Sequence, residues 1–165
     1  MKLFPATIGA IAMCLAAGQA MADMSPADKT FATKAAAGGL AEVALGQVAT
    51  QKASDPKVRQ FGQQMITDHT QANQELQQIA KQQELTIPTK PGAADHAKQQ
   101  QLETMKGAAF DAAYMQDMVR DHQQDVADFR HEATAGQDPA LKGFAQKYLP
   151  VLEHHLQMAK STVSK

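Results

Sequence analysis

The sequence predicts an all-α protein, a ferritin-like four-helix bundle with one long crossover between its second and third helices. Three observations carry that expectation. Four long stretches place apolar residues three and four apart, the spacing of one face of a helix. Three of those stretches open on Ser-Pro or Asp-Pro, at Ser25-Pro26, Asp55-Pro56 and Asp138-Pro139, which is helix-start punctuation. Only short gaps part the first stretch from the second and the third from the fourth, whereas residues 84–106 part the second from the third. Short gaps demand antiparallel neighbours, and the long one can run the length of a bundle.

Each element follows from its own residues. In the first, Ser25 is an N-cap, Pro26 fits the first helical position, and Asp28 suits the positive end of the helix dipole. It extends to about Lys52, and its inner face is expected to carry Phe31, Ala35, Gly38, Leu45 and Ala49. The second opens at Asp55-Pro56 and ends near Gln83, with Val58, Phe61, Met65, His69, Ala72, Leu76 and Ile79 inward. The connector 84–106 holds Pro88, Pro91 and Gly92, with room for a short helix from Ala93 to Met105. The third long helix starts at Gly107 and stops at Gly136, with Phe110, Tyr114, Met118, His122, Val126 and Phe129 inward. The fourth follows Asp138-Pro139 and turns Leu141, Ala145, Tyr148, Leu152, His155 and Ala159 inward. Pro150 lies inside it and removes a backbone hydrogen bond to Gln146.

The N-terminus reads as a secretory signal peptide over residues 1–22. Lys2 gives the positive start, Ala6 to Ala17 is an apolar run too short to span a bilayer, and Ala20-Met21-Ala22 is an A-x-A cleavage site. Cys14 follows Met13 within the apolar run, which does not fit a lipoprotein site. Cleavage removes Cys14, the only cysteine, and leaves 23–165 as one domain without a disulfide or a thiolate ligand. The formal charge of −1 for the whole chain becomes −2 without Lys2, and no basic patch points to nucleic acid. No segment after the leader is apolar enough for a transmembrane helix, and the period-two alternation of a membrane β-barrel is missing. The expected location is the periplasm, with peripheral attachment to the envelope as the variant.

Two internal repeats support the hairpin pairing. Met65-Ile66-Thr67-Asp68-His69 recurs as Met118-Val119-Arg120-Asp121-His122, and Asp55-Pro56-Lys57-Val58 with Phe61 parallels Asp138-Pro139-Ala140-Leu141 with Phe144. Together with Ala41-Glu42-Val43-Ala44-Leu45-Gly46, Gly107-Ala108-Ala109-Phe110-Asp111-Ala112-Ala113-Tyr114 and Leu149-Pro150-Val151-Leu152-Glu153-His154-His155-Leu156, these stretches resemble the bacterial domain of unknown function 4142 family. The resemblance implies a ferritin-like bundle and bacterial export, and it implies no activity. The label "predicted outer membrane protein" often attached to that family conflicts with the absence of membrane-spanning patterns.

One potential metal ligand falls on the inner stripe of each long helix: Glu42, His69, His122 and His155. The first three sit near the middle of their helices; His155 is about five residues past its midpoint, roughly 7 Å of rise. Three imidazoles and a carboxylate suit zinc, copper, iron or manganese. Asp125, His154, Met65 and Met118 are further candidates, the thioethers fitting a Cu(I) variant. Asp68 and Asp121 diverge by about 100° from the histidines they precede, so each can support only a His on an adjacent helix. Such a site would serve metal buffering or envelope stress protection. The alternative is a cofactor-free structural or interaction module, whose inward histidines form a buried polar network and whose methionines are ordinary core filler. A di-iron ferroxidase needs two Glu-x-x-His pairs, and none exists in the chain. No Ser or Cys nucleophile and no phosphate-binding Gly-rich loop offers another chemistry. His96 in the connector and His131 near the end of the third helix need no site to explain them.

Overall fold

The computed structural model describes residues 24–163. The expected cleavage site after Ala22 and the rejected Cys14 lie outside the described residues. The architecture is an all-α bundle of five helices: α1 (Pro26–Lys52), α2 (Pro56–Gln82), α3 (Ala93–Glu103), α4 (Gly107–Ala135) and α5 (Pro139–Val163). The helix starts are set by side chains that satisfy orphan backbone donors. Ser25 Oγ accepts from the Asp28 N–H at 3.1 Å, Asp55 from Lys57 at 2.7 Å, and Asp138 from Ala140 and Leu141 at 3.0 and 2.8 Å. The start of α4 needs a residue at φ +60°, and Gly107 supplies it without a Cβ clash. Pro150 is accommodated inside α5, which runs unbroken to Val163.

α1 packs along α2 and α4 along α5, making two hairpins that meet through α2–α5 and α1–α4 contacts. α3 lies against α1 and α4. The first hairpin closes tightly where two glycines face each other. A Cβ on Gly46 would fall 2.7 Å from the Gly62 carbonyl oxygen, and one on Gly62 would fall 2.8 Å from the Ala49 Cβ. Those glycines therefore trade helix propensity for backbone approach.

Each hairpin turn is bound by a carboxylate of the other hairpin. Asp28, near the start of α1, accepts from the Gln137 and Asp138 N–H groups at 3.1 and 3.0 Å. Asp111, near the start of α4, accepts from the Ser54 N–H at 3.0 Å, the Asp55 N–H at 2.9 Å and the Ser54 hydroxyl. This reciprocal bracing is the three-dimensional counterpart of the repeats in the sequence.

The core divides into two apolar clusters. One holds Leu45, Val58, Phe61, Met65, Phe110, Tyr114 and Met118; the other holds Phe31, Leu76, Val126, Phe129, Phe144 and Leu152. Buried Glu42, His69, His122 and His155 come from between them along the helices. The inner face of α1 differs from the one expected: Ala35 and Gly38 are half-buried, and Ala36 and Gly39 take the core positions. Ala and Gly carry too little side chain for apolar spacing to set the phase of a helix. Ala72 and Ile79 of α2 are likewise half-buried, while the inward residues expected for α4 and α5 are all buried.

Candidate metal centre

His69 from α2, His122 from α4 and His155 from α5 meet in the middle of the bundle. Their ring centroids are 5.7 Å (His69–His122), 5.5 Å (His69–His155) and 5.3 Å (His122–His155) apart. One donor atom of each lies within 4.8 Å of those of the other two. All three rings are buried, His122 completely. Each occupies the position one turn from a large apolar residue, Met65, Met118 or Leu152, so the stripe that builds the core also aims the imidazoles.

The partners of two rings fix where their lone pairs point. His122 Nδ1 lies 3.0 Å from the Met118 carbonyl oxygen, an acceptor only, so Nδ1 carries the proton and Nε2 the lone pair. His155 Nε2 lies 2.8 Å from the Asp68 carboxylate, so Nε2 donates and Nδ1 holds the lone pair. Those two lone-pair nitrogens, together with His69 Nε2, are buried without a hydrogen-bond partner.

The electrostatics keep the rings neutral. Burial pushes the pKa of His69 well below the ordinary histidine value, and the proximity of His122 and His155 pushes it further. Burial likewise lowers His122. It lowers His155 to about 4, against the upward pull of the Asp68 bond. Neutral imidazole is the form that ligates metals, so no proton need be displaced. Glu42 Oε1 stands 3.6 Å from His122 Nδ1, behind that ring rather than among the three clustered donors. Burial first, then the Asp121 charge, raises its pKa well above the ordinary glutamate value, which favours its neutral form.

The remaining candidates separate by position. His155 faces the core and His154 faces solvent. Met65 and Met118 are fully buried in the apolar cluster that also contains Phe61. Asp125 is half-buried and lines a small cavity beside His69 and His155. Its pKa is raised to about 7, by burial and then by Glu42. Asp121 pairs with Lys98 of α3 at 3.0 Å. The result is a buried network of His69, His122, His155, Glu42 and Asp68, capable of coordinating a transition metal ion or of acting as a polar structural layer.

A family model described as Domain of unknown function (DUF4142) matches residues 14–162. The chain belongs to the DUF4142 family. No curated protein matches it. Two solved structures share its fold. A DUF305 fragment from Deinococcus radiodurans superposes with a TM-score of 0.73 at 13% identity, covering 86% of this chain and 97% of that one. A DUF305 protein from Streptomyces coelicolor, described as secreted, gives 0.68 at 15% identity over 81% of this chain and 89% of that one. At such identities the likeness is one of fold alone.

Within this DUF4142 chain, one residue of the network has a partner that its local sequence does not name. Asp68 sits beside His69 in sequence yet binds His155 across the bundle, 87 positions away. The 100° offset between neighbours on a helix is the signal that sends it outward from its own histidine to the next helix.

Proposed function

We propose that this protein is an exported, single-domain DUF4142 bundle that holds a transition metal ion through His69, His122 and His155. In this reading residues 1–22 are a cleaved leader and 23–165 form a ferritin-like four-helix bundle, α3 riding on the crossover between α2 and α4. The periplasm is its location, and metal buffering or envelope stress protection is its role.

One observation carries the metal reading: each of three clustered, buried imidazoles keeps one nitrogen without a partner, and one donor atom of each lies within 4.8 Å of the other two. A buried polar atom left unsatisfied costs about 1–3 kcal/mol. A single cation would satisfy all three together. Donors of a tetrahedral zinc lie roughly 3.3 Å apart, from bond lengths of about 2.0 Å, so the rings would draw together on binding. Asp68 and the Met118 carbonyl stand on the far nitrogens, where they would orient ligands. Glu42 supports His122 from behind.

A second reading rests on the same far-side bonds. They fix two rings without any ion. In that reading the chain is a cofactor-free structural or interaction module of the envelope, and the polar layer sets helix register.

Metal analysis of untagged protein, with thermal unfolding of wild type and His69→Ala, separates the two. Metal binding predicts one equivalent of bound ion and a stabilisation of about 2.7 kcal/mol at a free metal concentration a hundred times Kd. Both should vanish in His69→Ala. A melting temperature that ignores zinc, copper, iron and manganese, yet falls on His69→Ala, refutes the metal reading in favour of the structural one.

A further inference from the structure

The cavity beside the histidines suggests more than a closed structural site. His69 and His155, two of the three histidines, form part of its wall together with Asp68, and His122 does not. Its volume of about 20 Å³ suits one water molecule, which needs roughly 10–15 Å³. The walls are mostly apolar, with Asn73, Asp125 and Tyr148 as polar residues beyond Asp68 and the two histidines.

The room is made at a cost in helix propensity. Gly39 lies inside α1, where a glycine costs about 1 kcal/mol against Ala. What it admits is polar: a Cβ on Gly39 would overlap the Asn73 side-chain oxygen. Ala35 and Ala72 keep the same wall low from α1 and α2. Three His ligands with a fourth position facing such a space is the arrangement of an open metal site, whereas a purely structural site fills all four positions with protein.

We propose that the ion held by His69, His122 and His155 keeps one coordination position open to this cavity, and that the position takes a ligand of one or two heavy atoms. Water or hydroxide is its resting occupant, a diatomic donor can replace it, and organic molecules are excluded by size. The inference rests on the metal reading and assigns the chemistry that reading leaves open.

Cobalt(II)-loaded full-length protein tests it, because the visible bands of cobalt report its ligand number and identity. Cyanide, at a few equivalents, should shift those bands without releasing the ion, and imidazole should leave them unchanged. Ala72→Leu and Ala35→Leu, which fill the cavity from different helices, should retain one cobalt and weaken the cyanide response at least tenfold. Ala35→Leu, on a helix with no histidine of the cluster, decides the matter if Ala72→Leu does not fold. Wild-type bands that ignore cyanide, leucine variants that respond like wild type, or equal access for imidazole would each overturn the open position while leaving the metal site standing. A wild-type protein that takes up no cobalt would instead remove the metal reading itself, and the open position with it.

Discussion

Glu132 gives the fold a pH dependence that one substitution can isolate. It is buried in the last turn of α4, and Asp28 lies beside it. Burial, then the Asp28 charge and a hydrogen bond to Asp28, raise its pKa from 4.5 to about 7. Asp28 itself stays below the usual carboxylate value: burial pushes it up, but the N–H groups of Gln137 and Asp138 and the Ser25 contact outweigh that. The pair therefore shares one proton. Between pH 4.5 and about 7 the folded chain keeps a proton on Glu132 that the unfolded chain has lost. Stability must fall as pH rises through that window and level off above it. A displacement of about two and a half units, at 1.36 kcal/mol each, sets a ceiling of roughly 3 kcal/mol. Water reaching the end of the bundle should leave about 1–3 kcal/mol of it. Glu132→Gln keeps the hydrogen bond to Asp28 and removes the ionisation. Urea unfolding of wild type and variant at half-unit steps from pH 4.5 to 8 gives the difference directly. Subtracting the two curves cancels the other titrating groups, including Asp125, which acts in the same direction. The variant should gain on wild type as pH rises, by the amount above at pH 8. Parallel curves across the whole range would refute the shared-proton account.

The acid side behaves oppositely. His155, lowered to about 4, must be protonated on unfolding, so it should make stability drop as pH falls from 6.5 towards 4, by up to about 3 kcal/mol; His155→Leu should lose that share of the slope in the same titration, His69 and His122 keeping theirs. Gly62→Ala should cost about 1–3 kcal/mol in chemical denaturation, because its Cβ meets Ala49 at 2.8 Å and the Gly46 carbonyl at 3.0 Å; an unchanged midpoint would mean that the two helices can part freely. Asp111→Ala releases three donors of the α1–α2 turn and should cost about 1–2 kcal/mol, visible as faster amide exchange at Ser54 and Asp55.

Much of the fold was legible because its punctuation is chemical. Ser25-Pro26, Asp55-Pro56 and Asp138-Pro139 name three helix starts, and α2, α4 and α5 carry large apolar residues whose spacing fixes a face. α1 was harder. Ala35, Ala36, Gly38 and Gly39 differ too little in size for periodicity to choose among them, and the choice is made by where Asn73 of α2 intrudes. In the site, the inward turn of His69, His122 and His155 follows from the same stripes that carry Met65, Met118 and Leu152. Glu42 was placed on the right face, but its position behind His122 depends on the rotation of α1 against α4. The Asp28–Glu132 pair and the Asp111 brace join residues more than fifty positions apart, and no local pattern encodes them. The cavity is legible only as a glycine, Gly39, without a local reason.

The exchange of turn-binding carboxylates has a consequence for the order in which the protein can be completed. As the chain is synthesised, the first hairpin emerges with the backbone donors of Ser54 and Asp55 open to water, because their acceptor lies more than fifty residues behind in the queue. The second hairpin, made alone, would lack Asp28 for its own turn. Neither half is a finished part. Mixed as separate fragments, the two should become ordered only together, with helicity that depends on concentration, and fragments equally helical alone and mixed would contradict this. The molecule is thus built as a mutual agreement between its halves, and a nascent first half stays pliant until the second arrives to close it.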